Sequence, residues 1–294
     1  MIPTVCIIIL NWNGWQDTVD CLRSLREITY PEYHIILIDN GSTDESILEI
    51  TPHLASRVHF VCNRENVGFA RACNQGMNYA ISDMSADFIL LLNNDTVVDP
   101  NFLSEMVNYT SVPSVGMVQP LMLNQPNRYI IDSTGHILVS GMVYDRGAGE
   151  INVGQYTDAT NLIGASGAAA LYRVKMIRDI GVFDQNYITG YEDSEYSWRA
   201  WKRGWKTAYA KRAIIYHKRG QSVNRLLQID PAFATRLSIS AARPCKTHGT
   251  RIQKAQFILN MLASAGKSEV GRILGRNKVG SIPYLLSVWE MIAR

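Results

Sequence analysis

The chain has no apolar run near the roughly 18 residues that a membrane-spanning helix needs, which argues against an integral span. Its amino terminus lacks a basic region followed by an apolar one, so Val5 to Leu10 reads as a first strand rather than a leader. Cysteine is scarce: Cys6, Cys21, Cys62, Cys73 and Cys245 are odd in number, scattered and without a Cys-x-x-Cys pair. That argues against a disulfide framework and a zinc knuckle, and favours reduced thiols in a cytosolic protein. No Gly-x-Gly-x-x-Gly follows the first strand, which counts against a dinucleotide-dependent oxidoreductase. A sugar nucleotidyltransferase would need a glycine-rich, basic loop at the same place, and Asn11-Trp12-Asn13-Gly14-Trp15 is not one. No nucleic-acid-binding motif is present.

Acidic residues are nearly missing from the last third. Residues 196–294 hold 19 Lys+Arg against 3 Asp+Glu, net +16, whereas residues 1–195 hold 10 against 23, net −13. A basic tail on an acidic body points to an anionic partner, and a phospholipid surface is favoured. The 294 residues suffice for one large α/β domain with an appendage, and 47% hydrophobic with 19% charged residues is ordinary globular composition.

What is present is a train of short apolar runs ending in polar residues. The central one is Asp87-Phe88-Ile89-Leu90-Leu91-Leu92-Asn93-Asn94-Asp95, a strand buried on both faces. Ligands of open α/β sheets sit beyond the carboxyl ends of such strands, which brings Asn93, Asn94 and Asp95 to the mouth of a site. Asp95 there is a natural ligand for a hard divalent cation; a plain capping role explains it equally well. Val5–Leu10 ends at the loop Asn11 to Trp15, and His34–Ile38 ends at Asp39-Asn40-Gly41-Ser42-Thr43-Asp44. Asp39 can accept a hydrogen bond from a nucleobase or ribose, while Ser42, Thr43 and Asp44 have the character of turn formers and helix caps. Val58–Val61 is a third strand. Asn66 to Gly76 is a small-residue entry to a helix, on which Arg71 either meets phosphates or faces solvent. This alternation predicts a parallel, doubly wound sheet.

Four segments at strand ends, Leu10-Asn11-Trp12-Asn13-Gly14, Asp39 to Asp44, Asn66-Val67-Gly68-Phe69-Ala70 and Asn93-Asn94-Asp95, resemble the family 2 glycosyltransferases, and most nearly their rhamnosyltransferase-like branch. The resemblance implies a GT-A fold with a mostly parallel central sheet flanked by helices and a helical, basic C-terminal appendage. It implies an inverting enzyme using a nucleotide-diphosphate sugar. The family's Asp-x-Asp begins here with Asn93, an amide that brings no charge to a metal. Asn11, Asn13, Asp39, Arg71, Asn93 and Asn94 are the implied donor-binding residues. Asp95 and His217 are implied to hold Mg²⁺ or Mn²⁺.

From Asn101 to about Gly154 the pattern is less regular, with Met117–Pro120 and Ile137–Val139 as short strands and little legible function. Ile163 to Arg173 is rich in small residues, which either admit a ligand close to the backbone or serve strand packing. Tyr191-Glu192-Asp193-Ser194-Glu195 opens a helix that Gly204 closes; acids there are favourable without any function. The resemblance makes Asp193 the general base and Glu192 the runner-up, or a residue that binds acceptor or orients its neighbour. Lys218, Arg219 and Ser222 either meet phosphate oxygens or form a solvated basic loop.

The expected division is a transferase domain over 1–220, with a nucleotide-binding half (1–100) and an acceptor-binding half (101–220), and a helical segment over 221–294. Pro231–Ala242 and Arg251–Ala265 read as helices. Ile282 to Ile292 reads as an amphipathic anchor, a cap on the core or a homodimer contact. The expected function is transfer of a sugar, with rhamnose from a dTDP donor favoured and UDP donors alternative. The expected acceptor is a glycan, lipid-linked, made at the inner face of the cytoplasmic membrane. A non-catalytic scaffold or carbohydrate-binding protein of the same fold is the rival from another class.

Overall fold

The computed structural model describes residues 2–187, 190–220, 226–230, 232–273 and 281–293. The first half alternates strand and helix: β1 (Val5–Asn11), α1 (Trp15–Arg26), β2 (Tyr33–Asp39), α2 (Ser46–Ile50), β3 (Val58–Cys62), α3 (Phe69–Ser82) and β4 (Phe88–Leu92). β4 is buried along its whole length. The strands are parallel in the order β3-β2-β1-β4, as their continuous apolar runs predict. Alternate residues of β1 then face opposite layers. Val5, Ile7 and Ile9 pack with Val19, Leu22 and Leu25 of α1, while Cys6 and Ile8 pack with Ala70, Cys73 and Met77 of α3.

Beyond β4 the sheet is mixed rather than parallel. It continues through β5 (Thr96–Val98), α4 (Phe102–Val107), β6 (Val115–Asn124), β7 (Ile131–Ser133), β8 (His136–Val139), β9 (Met142–Asp145), β10 (Leu162–Gly164) and β11 (Ala169–Arg173). Then follow α5 (Val174–Ile180), α6 (Glu192–Lys202) and β12 (Lys206–His217). β11 runs antiparallel between β4 and β6, β12 runs parallel to β6 and β5 closes the edge. β8, β9 and β10 form a separate three-stranded sheet.

β6 corrects the short strand expected at Met117–Pro120, because it passes through Pro120. A proline donates no ladder bond and belongs at a bulge. The register of β12 against β6 shifts between Ala210 and Ile214, directly after Pro120 pairs with Ala210.

Among the described residues, the longer helices that follow are α7 (Phe233–His248), α8 (Arg251–Ile273) and α9 (Ile282–Ile292). α7 and α8 run beyond the expected Ala242 and Ala265, α7 with Pro244 inside it. Ala242 and Cys245 of α7 and Phe257 and Met261 of α8 pack with Ile163 and Trp198 of the body. Tyr284, Val288 and Met291 of α9 lie against the same cluster. Trp198 belongs to α6, which also sends Tyr196 and Ala200 into the core under α3. His248 Nε2 lies 2.7 Å from Glu195 Oε1, tying the end of α7 to α6. Among the described residues no helix is long and apolar enough to cross a membrane.

Candidate active site

The carboxyl ends of β1, β4 and β12, the small sheet and the start of α6 surround one cleft of about 630 Å³. Leu10, Asn11, Trp12, Asn40, Asn66 and Phe69 line one end, and Tyr144, Ser166, Gly167, Tyr191, Glu192 and Asp193 the other. Asn93, Asn94, Asp95, His136, Asp145, His217 and Arg219 also face it.

At the first end the polar side chains brace one another. Asn11 is fully buried, donates from Nδ2 to Asp39 Oδ2 at 2.7 Å and accepts from the Thr18 hydroxyl at 2.7 Å. Asp39 Oδ1 accepts from the Ser42 backbone N–H at 2.9 Å. Asn13, at φ 51°, accepts from the Thr43 N–H at 2.7 Å. Asn94 donates to the Thr18 hydroxyl at 2.9 Å. The loops after β1, β2 and β4 are therefore one hydrogen-bonded unit. Of the expected donor-binding residues, Asn11, Asn93 and Asn94 line the cleft. Asp39 lies buried behind Asn11, Asn13 holds the second loop, and Arg71 is exposed on the first turn of α3 outside the lining.

In the middle, Asp95 and His217 meet. His217 ends β12 beside β5, so the strand pairing that sets Thr96 opposite His217 brings the ring to Asp95. Nε2 stands 3.2 Å from Asp95 Oδ1, and Asn93 Nδ2 is 3.5 Å from the same nitrogen. Asp95 Oδ1 is buried and makes no aligned hydrogen bond, so this short contact is a charge pairing. Nδ1 lies 2.8 Å from Asp132 Oδ2. Burial lowers the His217 pKa, but the carboxylates of Asp132 and Asp95 outweigh it and raise it to about 9. Burial opposes ionisation of Asp132 too, yet His217 and Arg219 hold its pKa below the usual carboxylate value.

A buried carboxylate oxygen without a donor, facing an imidazole nitrogen, fits a hard cation. No group of three or more His, Cys, Asp or Glu side chains with metal-binding arrangement occurs among the described residues. The pair suits an ion whose remaining ligands are diphosphate oxygens and water, the usual manner of Mg²⁺. Lys218 and Arg219 have protein partners: Lys218 pairs with Asp17, and Arg219 Nη1 donates to Asp132 Oδ1 at 2.8 Å. Ser222 lies outside the described residues.

At the far end, Tyr191 takes a left-handed conformation (φ 70°) immediately before α6. Such strain in a non-glycine residue persists where the surroundings fix it. Asp193 is partly open to the cleft, with Oδ2 accepting from the Gly167 N–H at 2.8 Å and Oδ1 from the Ser194 N–H at 2.7 Å. A Cβ on Gly167 would stand 3.0 Å from Asp193 Cβ, so the small residue is what lets the two segments meet. Glu192 is buried, and burial first, then the charge of Asp193, pushes its pKa up to about 8. Burial thus disfavours the charged form of Glu192, whereas the Asp193 carboxylate is the one of the two that is partly open to the cleft.

Residues from the stretch 101–154, where little function was legible, also face the cleft. His136 is buried, with Nδ1 3.0 Å from Ser197 Oγ and Nε2 3.6 Å from Asp145 Oδ1 and 3.7 Å from Asp193 Oδ2. Asp132 stands behind His217. Their one signal in the sequence was Asp132-Ser133-Thr134-Gly135-His136, polar residues where the pattern should have been apolar.

A parallel first half, an antiparallel β11 beside β4 and a carboxylate–imidazole pair at the mouth define a GT-A nucleotide-diphospho-sugar transferase fold. The chain matches the model for glycosyl transferase family 2 over residues 6–181 and belongs to that family. It is 28% identical to the poly-beta-1,6-N-acetyl-D-glucosamine synthase of Staphylococcus aureus (strain COL) over 219 residues, 72% of this chain and 49% of the relative. The Staphylococcus epidermidis synthase is 27% identical over 217 residues, with the same coverage. The chain thus spans about half the length of these curated relatives. Two solved structures share the fold. The mannosyltransferase PcManGT of Pyrobaculum calidifontis, in complex with GDP-Man and Mn²⁺, aligns with TM-score 0.60 at 15% identity, covering 100% of this chain and 88% of that one. GalNAc-T7 with UDP, GalNAc and Mn²⁺ aligns with TM-score 0.59 at 18% identity, covering 74% and 43%.

Proposed function

We propose that the protein is an inverting glycosyltransferase that moves a sugar from a nucleotide-diphosphate donor to a glycan in cell-surface polysaccharide synthesis. The observation that carries this reading is the single cleft shared by the Asp95–His217 pair and Asp193. The relatives that make poly-N-acetylglucosamine support it.

In this reading the nucleoside lies against Leu10, Asn11, Trp12 and Phe69. Asp39 and Asn13 keep the surrounding loops in place, and Arg71 approaches the phosphates from the first turn of α3. Asn93 and Asn94 hydrogen-bond the donor. Asp95 and His217 would hold Mg²⁺ or Mn²⁺, which when bound would supply positive charge for the leaving diphosphate. Asp193 takes the proton of the acceptor hydroxyl as that oxygen attacks the anomeric carbon. The Gly167 and Ser194 N–H groups orient its carboxylate. Tyr144 and Tyr191 border the acceptor end, where a ring can cover the apolar face of a sugar.

The donor is rhamnose on dTDP or a UDP-sugar, and the acceptor is lipid-linked. The basic helical segment meets the inner face of the cytoplasmic membrane in this reading. Ile282, Leu285, Trp289 and Ile292 support it, because helical spacing puts these exposed residues on one face of α9. A second copy of the chain is the competing occupant of that face.

Calorimetric titration with dTDP-rhamnose, UDP-glucose, UDP-galactose, UDP-N-acetylglucosamine and GDP-mannose, each with Mn²⁺, Mg²⁺ or chelator, tests the reading. Metal-dependent binding of one donor is expected. Absence of binding across the panel would overturn the proposed donor class and favour a scaffold.

A further inference from the structure

We propose that Asp132 is the positioning residue of the cation site, fixing His217 so that Nε2 is presented to Asp95. The inference rests on the reading that Asp95 and His217 hold a divalent cation. β7 and β12 flank the carboxyl end of β6 on opposite edges: β7 pairs at Met122 and Leu123, and β12 runs alongside to Asn124. That brings Asp132 to His217, 85 residues apart in the chain, with Oδ2 2.8 Å from Nδ1. Asp132 is 4% exposed and does not line the cleft, so it is placed to act through His217 rather than on what the cleft holds.

Its own orientation is fixed from the far side. Arg219 Nη1 donates to Asp132 Oδ1 at 2.8 Å and to the Asp132 carbonyl at 3.0 Å, and the guanidinium also pairs with Asp145 at the end of β9. One carboxylate oxygen is thereby committed to arginine and the other to the imidazole. An imidazole that gives its Nδ1–H to a fixed carboxylate points Nε2 in one direction, so that a cation displacing the Nε2 proton meets a lone pair already aimed at it. Without Asp132 the ring loses that tether and can turn away from Asp95. Removing such an orienting partner lowers metal affinity by about 10–100-fold in well-studied sites.

The test follows Mn²⁺ alone, titrated into the full chain and read by the loss of the free aqueous Mn²⁺ EPR signal. Asp132→Ala, Asp132→Asn, His217→Ala and Asp95→Ala are compared, with thermal unfolding recorded for each. Asp132→Ala should weaken Mn²⁺ binding by about 10–100-fold. Asp132→Asn keeps an acceptor for Nδ1–H and should recover part of the loss. The nitrogen modulation of a coordinated imidazole in pulsed EPR should be present in the wild type, absent in His217→Ala and reduced in Asp132→Ala. Should Asp132→Ala fail to fold, Asp132→Asn is judged alone, and wild-type affinity with full nitrogen modulation overturns the proposal. Unchanged affinity in a folded Asp132→Ala, alongside loss in His217→Ala and Asp95→Ala, overturns the role of Asp132 and leaves the cation site standing. Wild-type affinity in His217→Ala and Asp95→Ala, or no Mn²⁺ binding by the wild type, overturns the cation site and the proposal with it.

Discussion

The two ends of the cleft are built by different means. At the end lined by Leu10 to Trp12, β1, β2 and β4 are parallel neighbours, and each delivers polar residues directly at its carboxyl end. Those side chains mainly satisfy one another: Asn11 binds Asp39, and Asn94 binds Thr18. At the other end Asp193 sits on a helix, Gly167 on a loop before β11 and His136 on a small separate sheet. They meet through close packing of α6 against β10, with Ser197 beside Gly164, and through the hydrogen bonds this packing allows, Gly167 N–H to Asp193 and His136 to Ser197. Backbone topology therefore organises the first end, whereas tertiary packing organises the second.

Substitutions at the two ends should consequently fail in different ways. The largest effect is expected for Asp193→Asn, which should lower transfer by about 10²–10⁴-fold with donor affinity unchanged. Steady-state rates paired with donor titration measure this, and near-wild-type turnover would remove Asp193 as the base. Gly164→Ala comes next, since its Cβ would stand 1.9 Å from Ser197 Oγ and 2.0 Å from Ser197 Cβ. Either α6 or β10 has to move, so the loss should reach or exceed the ~1–3 kcal/mol of ordinary overpacking. Transfer should fall with it, and denaturant midpoints together with rates are the check.

Asp39→Ala should behave oppositely to Asp193→Asn. It leaves the Asn11 amide and the Ser42 N–H short of a buried acceptor, a cost of about 1–3 kcal/mol. Stability and donor affinity should drop together in melting and calorimetry, and retention of both would separate Asp39 from the donor site. The last effect concerns pH. The folded-state pKa of Glu192 is raised from its ordinary 4.5 to about 8, chiefly by burial. The folded form then binds more protons than the unfolded form between those values, so this contribution is complete below 4.5 and lost as pH rises through about 8. Unfolding midpoints at pH 5 and 8.5 should differ less in Glu192→Gln than in the wild type. An equal difference would show that Glu192 ionises normally.

Legibility followed the same division. Val5–Leu10, His34–Ile38 and Phe88–Leu92 announce buried parallel strands by their unbroken apolar runs, and the polar residues ending β1 and β4 do face the cleft. Asp39 was legible as a strand-end acid, but not as a residue hidden behind Asn11, because burial at a strand end depends on the neighbouring loop. β6 was cut short at Pro120, since a proline argues against an interior strand until the bulge in its partner is known. Asp132 and His136 stayed hidden for a stronger reason. Their partners, His217 and Asp193, lie 85 and 57 residues further along the chain, and no local period encodes such a meeting.

The His248–Glu195 contact has one more consequence, for modularity. Glu195 stands two residues after Asp193 on the same helix, and Trp198, a turn further, is sealed under α7 and α8. The family match ends at residue 181, ahead of all three. A chimaera that joins the shared segment to another relative's tail would therefore replace the shelf on which the Asp193 carboxylate rests. Exchange of the tail as a detachable part should cost chemistry before it costs folding, and a productive swap has to carry α6 along with the helices that cover it.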